Sequence, residues 1–137
     1  MATHNIDVEW KSDLLFDAHQ NNMTFPLASH ESPAGTGASP KQLLLTSLAG
    51  CTAMDVASLL PKMRVPMTSL VVRVVGELTE EHPKVYTSMH MIYEVGTTEE
   101  FLPKVESAVQ KSTEKYCGVH AMLGQVAKIT HEIVLVS

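Results

Sequence analysis

The residues of this sequence with the most specific chemistry are its two cysteines, Cys51 and Cys117. A cysteine thiolate attacks the O–O bond of a peroxide and becomes a sulfenic acid, which a second thiol traps as a disulfide. Structural disulfides are rare in reducing compartments, whereas free cysteines are commonly buried. The two residues are therefore either buried thiols or a redox pair, and distance between them is not given by the sequence.

The local surroundings of Cys51 do not favour a thiolate. Cys51 lies about twelve residues into a predicted helix, beyond the first turn in which the helix dipole stabilises an anion. Asp55 follows four residues later on the same helical face and would repel a negative sulfur. An activating cation would have to come from another part of the fold or from another chain. Asp55 is alternatively a buried acid paired with a lysine, an arginine or a backbone donor.

Metal binding has little support in the sequence. Two distant cysteines do not by themselves supply a four-ligand zinc set. Cys117 and His120 are three residues apart, which suggests a metal site or a Cys-His dyad, but no further ligand lies in sequence range. The other histidines show no HxxxH or HxH spacing. We therefore expect no metal and no cofactor.

Composition indicates a soluble protein with one domain covering residues 1–137. The chain has 137 residues, of which 45% are hydrophobic, enough for one core. Its formal charge of -5 without a basic run argues against nucleic acid or an anionic membrane as the main partner. No apolar run is expected to reach the roughly 20 residues that cross a membrane, and the polar N-terminal residues do not resemble a signal peptide. We expect a cytoplasmic location.

The elements that would position the thiols follow from the sequence pattern. Short alternating runs in the first thirty residues predict three strands. Ser39 and Pro40 predict the start of a helix, with a capping hydroxyl before a proline at the first helical position. Residues 43–60 are apolar or small on every face apart from Asp55, so we expect this helix to be surrounded by protein.

The second half of the chain predicts a hairpin, a helix and a final strand. Residues 67–81 and 84–97 are rich in β-branched residues and predict two paired strands. The next segment has helical spacing, with Pro103 near its start and Cys117 at its end, beside a glycine, Gly118, expected to terminate it. A short helical piece precedes a last strand at residues 128–137. The predicted order is β-β-β-α-β-β-α-β, in an α+β fold.

Two separated motifs resemble those of the OsmC/Ohr family of peroxide-reducing proteins. They are "GASPKQLLLTSLAGCTAMDVASLLPKMR", which contains Cys51, and "STEKYCGVHAML", which contains Cys117. The predicted element order is also similar to that of the family. The resemblance covers nearly the whole chain and is nearest to the OsmC-like branch.

The resemblance implies a fold formed by two intertwined chains, a homodimer with the cysteine-bearing helices at its centre. It implies that Cys51 is the peroxidatic cysteine and Cys117 the resolving one. The family reaction reduces an organic hydroperoxide to an alcohol and leaves a Cys51–Cys117 disulfide, which an external dithiol reductant reverses.

The sequence departs from the family pattern at the charged partners of the reactive thiol. Family peroxidases have an arginine in the N-terminal strands, but the first arginine here is Arg64. They also have a glutamate ten residues before the reactive cysteine, where this chain has Lys41, and a related branch has one nine residues before, where this chain has Gln42. Lys41 is either a solvated residue of the first helical turn or a cation that lowers the pKa of Cys51. Ten helical residues span about 15 Å, so the second role requires contact across a dimer.

Two functions are consistent with the sequence. One is a thiol peroxidase that acts on organic hydroperoxides, because the segment around Cys51 is apolar and both motif cysteines are present. The other is a non-peroxidase OsmC-like protein that binds an apolar ligand or senses oxidants, because the arginine and the glutamate are missing.

Overall fold

The computed structural model describes residues 1–137, which form two compact units, Met1–Leu44 and Leu45–Ser137. The first unit contains the three predicted strands, β1 (Asp7–Ser12), β2 (Leu15–Gln20) and β3 (Met23–Leu27). They pair antiparallel in the order β1-β2-β3, as an up-and-down sheet. Asp and Asn residues with positive φ form the tight turns between them, as expected for side chains that tolerate the left-handed region.

The helix that carries Cys51, α1, spans Gln42–Lys62. It starts two residues after Pro40, and the carbonyl of Ser39 accepts the N–H of Leu43 at 3.0 Å. Pro61 lies in the last turn of the helix. Arg64 follows with a left-handed φ of 62°. The boundaries therefore agree with the prediction to within two residues, the usual uncertainty of helix ends.

The second unit contains the other three-stranded sheet. Its strands are β4 (Ser69–Leu78), β5 (Tyr86–Gly96) and β6 (Lys128–Val136), in the order β4-β5-β6. The β4–β5 pair is the predicted antiparallel hairpin, and β6 runs parallel to β5. The central strand β5 is the most buried of the three and supplies Met89, Met91 and Tyr93 to the core.

The segment between β5 and β6 differs from the single helix predicted from the sequence. A 3-10 turn (Glu99–Phe101) leads into α2 (Leu102–Lys111), which widens into a π turn (Ser112–Tyr116). Cys117 then has an extended backbone, with φ -81° and ψ 99°. Gly118 does not terminate a helix as predicted, because it is the first residue of α3 (Gly118–Leu123).

The prediction that α1 is surrounded by protein is met on one face only within this chain. Its fully buried side chains are Leu48, Thr52, Val56 and Leu60, which recur every four residues and form one stripe. Met54, on another face, is 75% exposed. The single chain therefore leaves much of this apolar helix without a protein neighbour.

The same helix is long and apolar enough to cross a membrane if length and composition alone are considered. Its mean hydropathy is 1.7, so the expectation that no segment reaches spanning length is wrong by that criterion. Core helices of soluble proteins meet the same criterion, and α1 contributes its buried stripe to the core. Length and composition alone are therefore not evidence that α1 crosses a membrane.

The predicted α+β class and element order are confirmed, with α3 as the predicted short helical piece. The assignment of residues 1–137 to one domain stays a prediction, as does the intertwined dimer.

Candidate functional site

Two thiols and a carboxylate that are distant in the sequence lie together in the second unit. The Sγ atoms of Cys51 and Cys117 and a carboxylate oxygen of Asp55 are all within 4.8 Å of one another. Both cysteines are free thiols. Cys51 is partly buried, whereas Cys117 is only 4% exposed. The structure thus brings together the two sulfurs singled out in the sequence and adds the acid next to them.

Two elements position these three groups. Cys51 and Asp55 are four residues apart on α1, so both side chains project from one face of the helix. The π turn places Cys117 against that face: its N–H donates to the carbonyl of Ser112 at 2.7 Å, the i to i-5 bond of a π helix. Wide turns of this kind are frequent at functional sites, because they displace side chains from the regular helical position.

The sulfur of Cys117 also caps the helix that follows. It accepts the backbone N–H of His120 at 3.3 Å, at the start of α3. Cys117 and His120, the pair that suggested a Cys-His dyad, are therefore joined by a backbone hydrogen bond and not by the imidazole. Burial, followed by the charge of His131, lowers the pKa of His120 below its ordinary value. The imidazole is therefore biased towards its neutral form.

Asp55 is the end of a chain of buried hydroxyl groups. The Ser112 hydroxyl donates to Oδ2 of Asp55 at 2.8 Å, and Thr52 Oγ1 lies 2.8 Å from the same hydroxyl oxygen. The Tyr93 hydroxyl lies 2.8 Å from Thr52 Oγ1. Thr52, Ser112 and Tyr93 are all fully buried. Asp55 is therefore paired with a hydroxyl, and with none of the partners considered from the sequence.

The proton positions in this chain follow from the acid at its end. A carboxylate only accepts hydrogen bonds, and each hydroxyl has one proton to donate. Ser112 gives its proton to Asp55, so Thr52 donates to Ser112. The Tyr93 hydroxyl is then left to donate to Thr52 at 2.8 Å, a shorter contact than its 3.7 Å approach to the sulfur of Met91. The hydroxyl dipoles all point towards the carboxylate, and each hydroxyl of Thr52, Ser112 and Tyr93 has a partner.

Burial and anionic neighbours keep two groups of the site protonated. Burial raises the pKa of the Cys117 thiol to about 11, with further increases from its hydrogen bond to Cys51 and from the charges of Cys51 and Asp55. The N–H of His120 acts in the opposite direction. Burial likewise raises the pKa of Tyr93 to about 12. Cys117 is a neutral thiol at pH 7, and no cation is among the groups that act on it.

An apolar groove of this unit lies away from the thiols. It has a volume of about 430 Å³ and lies between α1 and β4. Its lining residues are Leu45, Thr46, Ala49, Gly50, Ala53, Val72 and Val74, and they include neither cysteine. The groove therefore does not identify where a substrate reaches Cys51.

The hydroxyl chain was missed by the sequence analysis. Thr52 is separated from Tyr93 by 41 positions and from Ser112 by 60. The one available signal was the position of Thr52 on the buried stripe of α1, because a buried hydroxyl needs a partner. The pattern does not identify that partner.

Comparison with known proteins places the chain in a family. The model of the OsmC-like protein family matches residues 33–132, which include both cysteines and the π turn. The chain belongs to the OsmC-like family. Protein YhfA of Escherichia coli (strain K12) is 34% identical over 99 residues, which are 72% of this chain and 74% of that protein.

Solved structures of family members have the same fold. A hypothetical protein from Aquifex aeolicus VF5 is 29% identical, with a TM-score of 0.84 over 100% of both chains. The organic hydroperoxide resistance protein OhrB of Bacillus subtilis is 12% identical, with a TM-score of 0.69 over 96% of this chain and 98% of that one. At that identity the likeness to OhrB concerns the fold alone.

Proposed function

We propose that the protein is a cysteine-based thiol peroxidase that reduces organic hydroperoxides, with Cys51 peroxidatic and Cys117 resolving. The observation that carries this proposal is the placement of the two sulfurs within 4.8 Å, although they come from different elements. A disulfide needs an S–S distance of about 2.05 Å, so a small movement of the side chains suffices to form one.

The reaction has three balanced steps. Cys51 attacks one oxygen of the hydroperoxide, the O–O bond breaks, and the products are a Cys51 sulfenic acid and an alcohol that receives the thiol hydrogen. Cys117 then attacks the sulfenic sulfur, which forms the intrachain disulfide and releases water. An external dithiol finally reduces the disulfide by thiol–disulfide exchange and is itself oxidised.

Burial supports the assignment of roles to the two cysteines. Cys51 is the more accessible thiol, whereas Cys117 is almost completely buried and is neutral at pH 7 because of its raised pKa. The first attack needs a sulfur that the peroxide can reach, so we assign it to Cys51. Cys117 needs only to reach a sulfenic acid that is formed beside it.

The apolar surroundings of Cys51 and the names of relatives support an organic hydroperoxide as the substrate. Small and apolar residues flank Cys51 on α1, so an alkyl hydroperoxide is a better match than hydrogen peroxide. The name of the Bacillus subtilis relative refers to organic hydroperoxide resistance. A second copy of the chain would cover the exposed faces of α1, so we include a homodimer in this proposal, together with an external dithiol reductant. We also propose that the protein is located in the cytoplasm.

A second candidate function is supported by the charges around the thiols. The acidic groups that act on Cys117 are Cys51 and Asp55, and both raise its pKa. A site without an activating cation is a slow peroxidase. In that case the protein is a non-peroxidase member of the family that binds an apolar ligand or senses oxidants.

Rapid mixing of the reduced protein with one equivalent of cumene hydroperoxide, and separately of hydrogen peroxide, tests the proposal. We expect loss of both thiols within seconds for the organic peroxide, with one cumyl alcohol formed per chain, and a slower loss for hydrogen peroxide. Cys51→Ser should abolish both reactions. Persistence of two free thiols in excess cumene hydroperoxide would exclude the peroxidase and favour the second candidate.

A further inference from the structure

The cluster of Cys51, Asp55 and Cys117 has the composition of a metal site. Two thiols and a carboxylate are donors that Zn²⁺ accepts, and tetrahedral bonds of about 2.3 Å to two sulfurs place those sulfurs about 3.8 Å apart. The three donor atoms of the cluster lie within 4.8 Å of one another, so small side-chain rotations bring them to bonding distance of one ion. We propose that the reduced protein binds a thiophilic divalent cation, Zn²⁺ in the first place, through Cys51, Asp55 and Cys117.

The helical spacing of two of these residues is that of known metal ligands. Cys51 and Asp55 are at positions i and i+4 of α1, the spacing by which one helical face presents two ligands to a single zinc ion. The third ligand, Cys117, comes from outside α1, directly after the π turn. Three protein ligands leave one position open for water or another small ligand, as in zinc sites that are not purely structural.

The charge of the cluster also favours a cation. Buried or partly buried anionic groups are usually paired with a cation or coordinate a metal. The partner of Asp55 is the neutral hydroxyl of Ser112, and no ion pair of the chain includes Asp55. A divalent ion would supply the positive charge that the surrounding side chains lack. Each thiol gives its proton to the buffer when its sulfur bonds to the metal.

Hydrogen-bond donors hold two of the three proposed ligands in place, as the groups around metal ligands do. Ligating carboxylates are held by hydrogen bonds that fix their orientation. Ser112 does this for Asp55, and Ser112 is itself held by Thr52. The N–H of His120 points at the sulfur of Cys117 and would stabilise negative charge on it. Two of the three donors are thus already oriented by neutral groups that do not compete for the ion.

This proposal is independent of the peroxidase proposal, because it concerns only the reduced thiols and needs no reaction with peroxide. A protein that binds Zn²⁺ but leaves peroxides intact supports the metal site and excludes the peroxidase. A protein that reduces peroxides but does not bind Zn²⁺ supports the peroxidase and excludes the metal site.

The test is anaerobic titration of the fully reduced protein with Zn²⁺ by calorimetry, and with Co²⁺ as a spectroscopic probe. We expect one ion per chain, a thiolate-to-cobalt charge-transfer band, and protection of both cysteines from iodoacetamide by Zn²⁺. Asp55→Asn keeps an oxygen for Ser112 but replaces an anionic ligand by a neutral amide. We expect it to weaken binding by about a hundredfold or more, at or beyond the upper end of the loss seen for groups that only support the ligands.

Matched variants separate this site from surface histidines. Cys51→Ser and Cys117→Ser should each remove the charge-transfer band, with near-ultraviolet circular dichroism used to verify that both variants are folded. His90→Gln removes an exposed imidazole that contacts Glu132 and should leave the affinity unchanged. Zn²⁺ binding of equal affinity in the double serine variant, a Co²⁺ spectrum without the band, or thiols unprotected at saturating Zn²⁺ would each overturn the proposal.

Discussion

The hydroxyl of Ser112 donates a hydrogen bond to Oδ2 of Asp55 at 2.8 Å, across 57 positions of sequence. This bond joins the helix that carries Cys51 to the π turn that directly precedes Cys117. Ser112 also supplies the carbonyl that accepts the N–H of Cys117. One residue thus fixes both the acid and the second thiol relative to α1.

Replacement of Ser112 by alanine should therefore destabilise the protein. The change leaves the Thr52 hydroxyl with one partner fewer in a buried position and removes the donor to Asp55, so we expect a loss of about 1–3 kcal/mol in the free energy of unfolding. Urea denaturation measures it. Thr113→Ala, in the same π turn but at a less buried hydroxyl, should change stability by about 0.5 kcal/mol or less. Equal effects of the two substitutions would contradict a special role for Ser112.

Tyr93 should make the folded protein sensitive to alkali. Burial raises its pKa to about 12 in the folded state from an ordinary value of 10.0, so between these values the unfolded chain loses the phenolic proton while the folded chain keeps it. The free energy of unfolding therefore falls as pH rises through that interval. Tyr93→Phe should lose this part of the alkaline sensitivity and Tyr86→Phe should keep it. Urea denaturation at a series of pH values measures both, and identical pH profiles for the two variants would contradict the assignment.

Asp55 should slow the reaction of Cys51 with electrophiles. The carboxylate of Asp55 lies within 4.8 Å of the Cys51 sulfur and repels the negative charge that this sulfur carries when it attacks, so Asp55→Asn should speed alkylation of Cys51 at pH 7 by up to about tenfold. The measurement uses iodoacetamide and the Cys117→Ser background, in which only Cys51 reacts. Glu114→Gln, at an exposed acid of the π turn, serves as the control and should leave the rate unchanged. A slower reaction of the Asp55→Asn variant would mean that Asp55 assists Cys51.

The exposed apolar faces of α1 predict association of two chains. Met54 is 75% exposed in the single chain, and its replacement by lysine would place a charge in any interface formed by this helix. We expect the unmodified protein to sediment as a dimer at micromolar concentration and Met54→Lys to shift it towards the monomer. Met122→Lys alters a methionine of α3 that is 66% exposed and should leave the dimer intact. A monomeric unmodified protein would contradict the proposed homodimer.

The sequence patterns predicted the elements well, because local propensity decides them. Alternation gave the strands, and the pair Ser39 and Pro40 located the start of α1 to within two residues. The predicted end of α2 was wrong. The helix widens into a π turn at Ser112, where the serine side chain packs against Thr52, and this depends on tertiary contact and not on local propensity. Gly118 was misassigned for the same reason, because the regular helix that it was expected to end already stops at Lys111.

The candidate site was predictable in its thiols but not in its geometry. Cys51 and Cys117 were identifiable by chemistry and by the family motifs, whereas their separation is set by the tertiary fold. The role of Asp55 changed most: its partner is a serine hydroxyl far along the chain, which no local pattern connects with it. The burial of α1 was overestimated for the single chain. Apolar residues on every face of a helix predict that protein covers it, but they do not determine whether that protein is the same chain or a second one.

The most direct test of the peroxidase proposal is peptide mapping by mass spectrometry after the reduced protein has reacted with one equivalent of cumene hydroperoxide. We predict an intrachain disulfide between Cys51 and Cys117 in the unmodified protein. In Cys117→Ser we predict a sulfenic acid on Cys51 that dimedone traps. Two unmodified cysteines, or a sulfenic acid on Cys117 in the Cys51→Ser variant, would contradict the assignment of Cys51 as the peroxidatic residue.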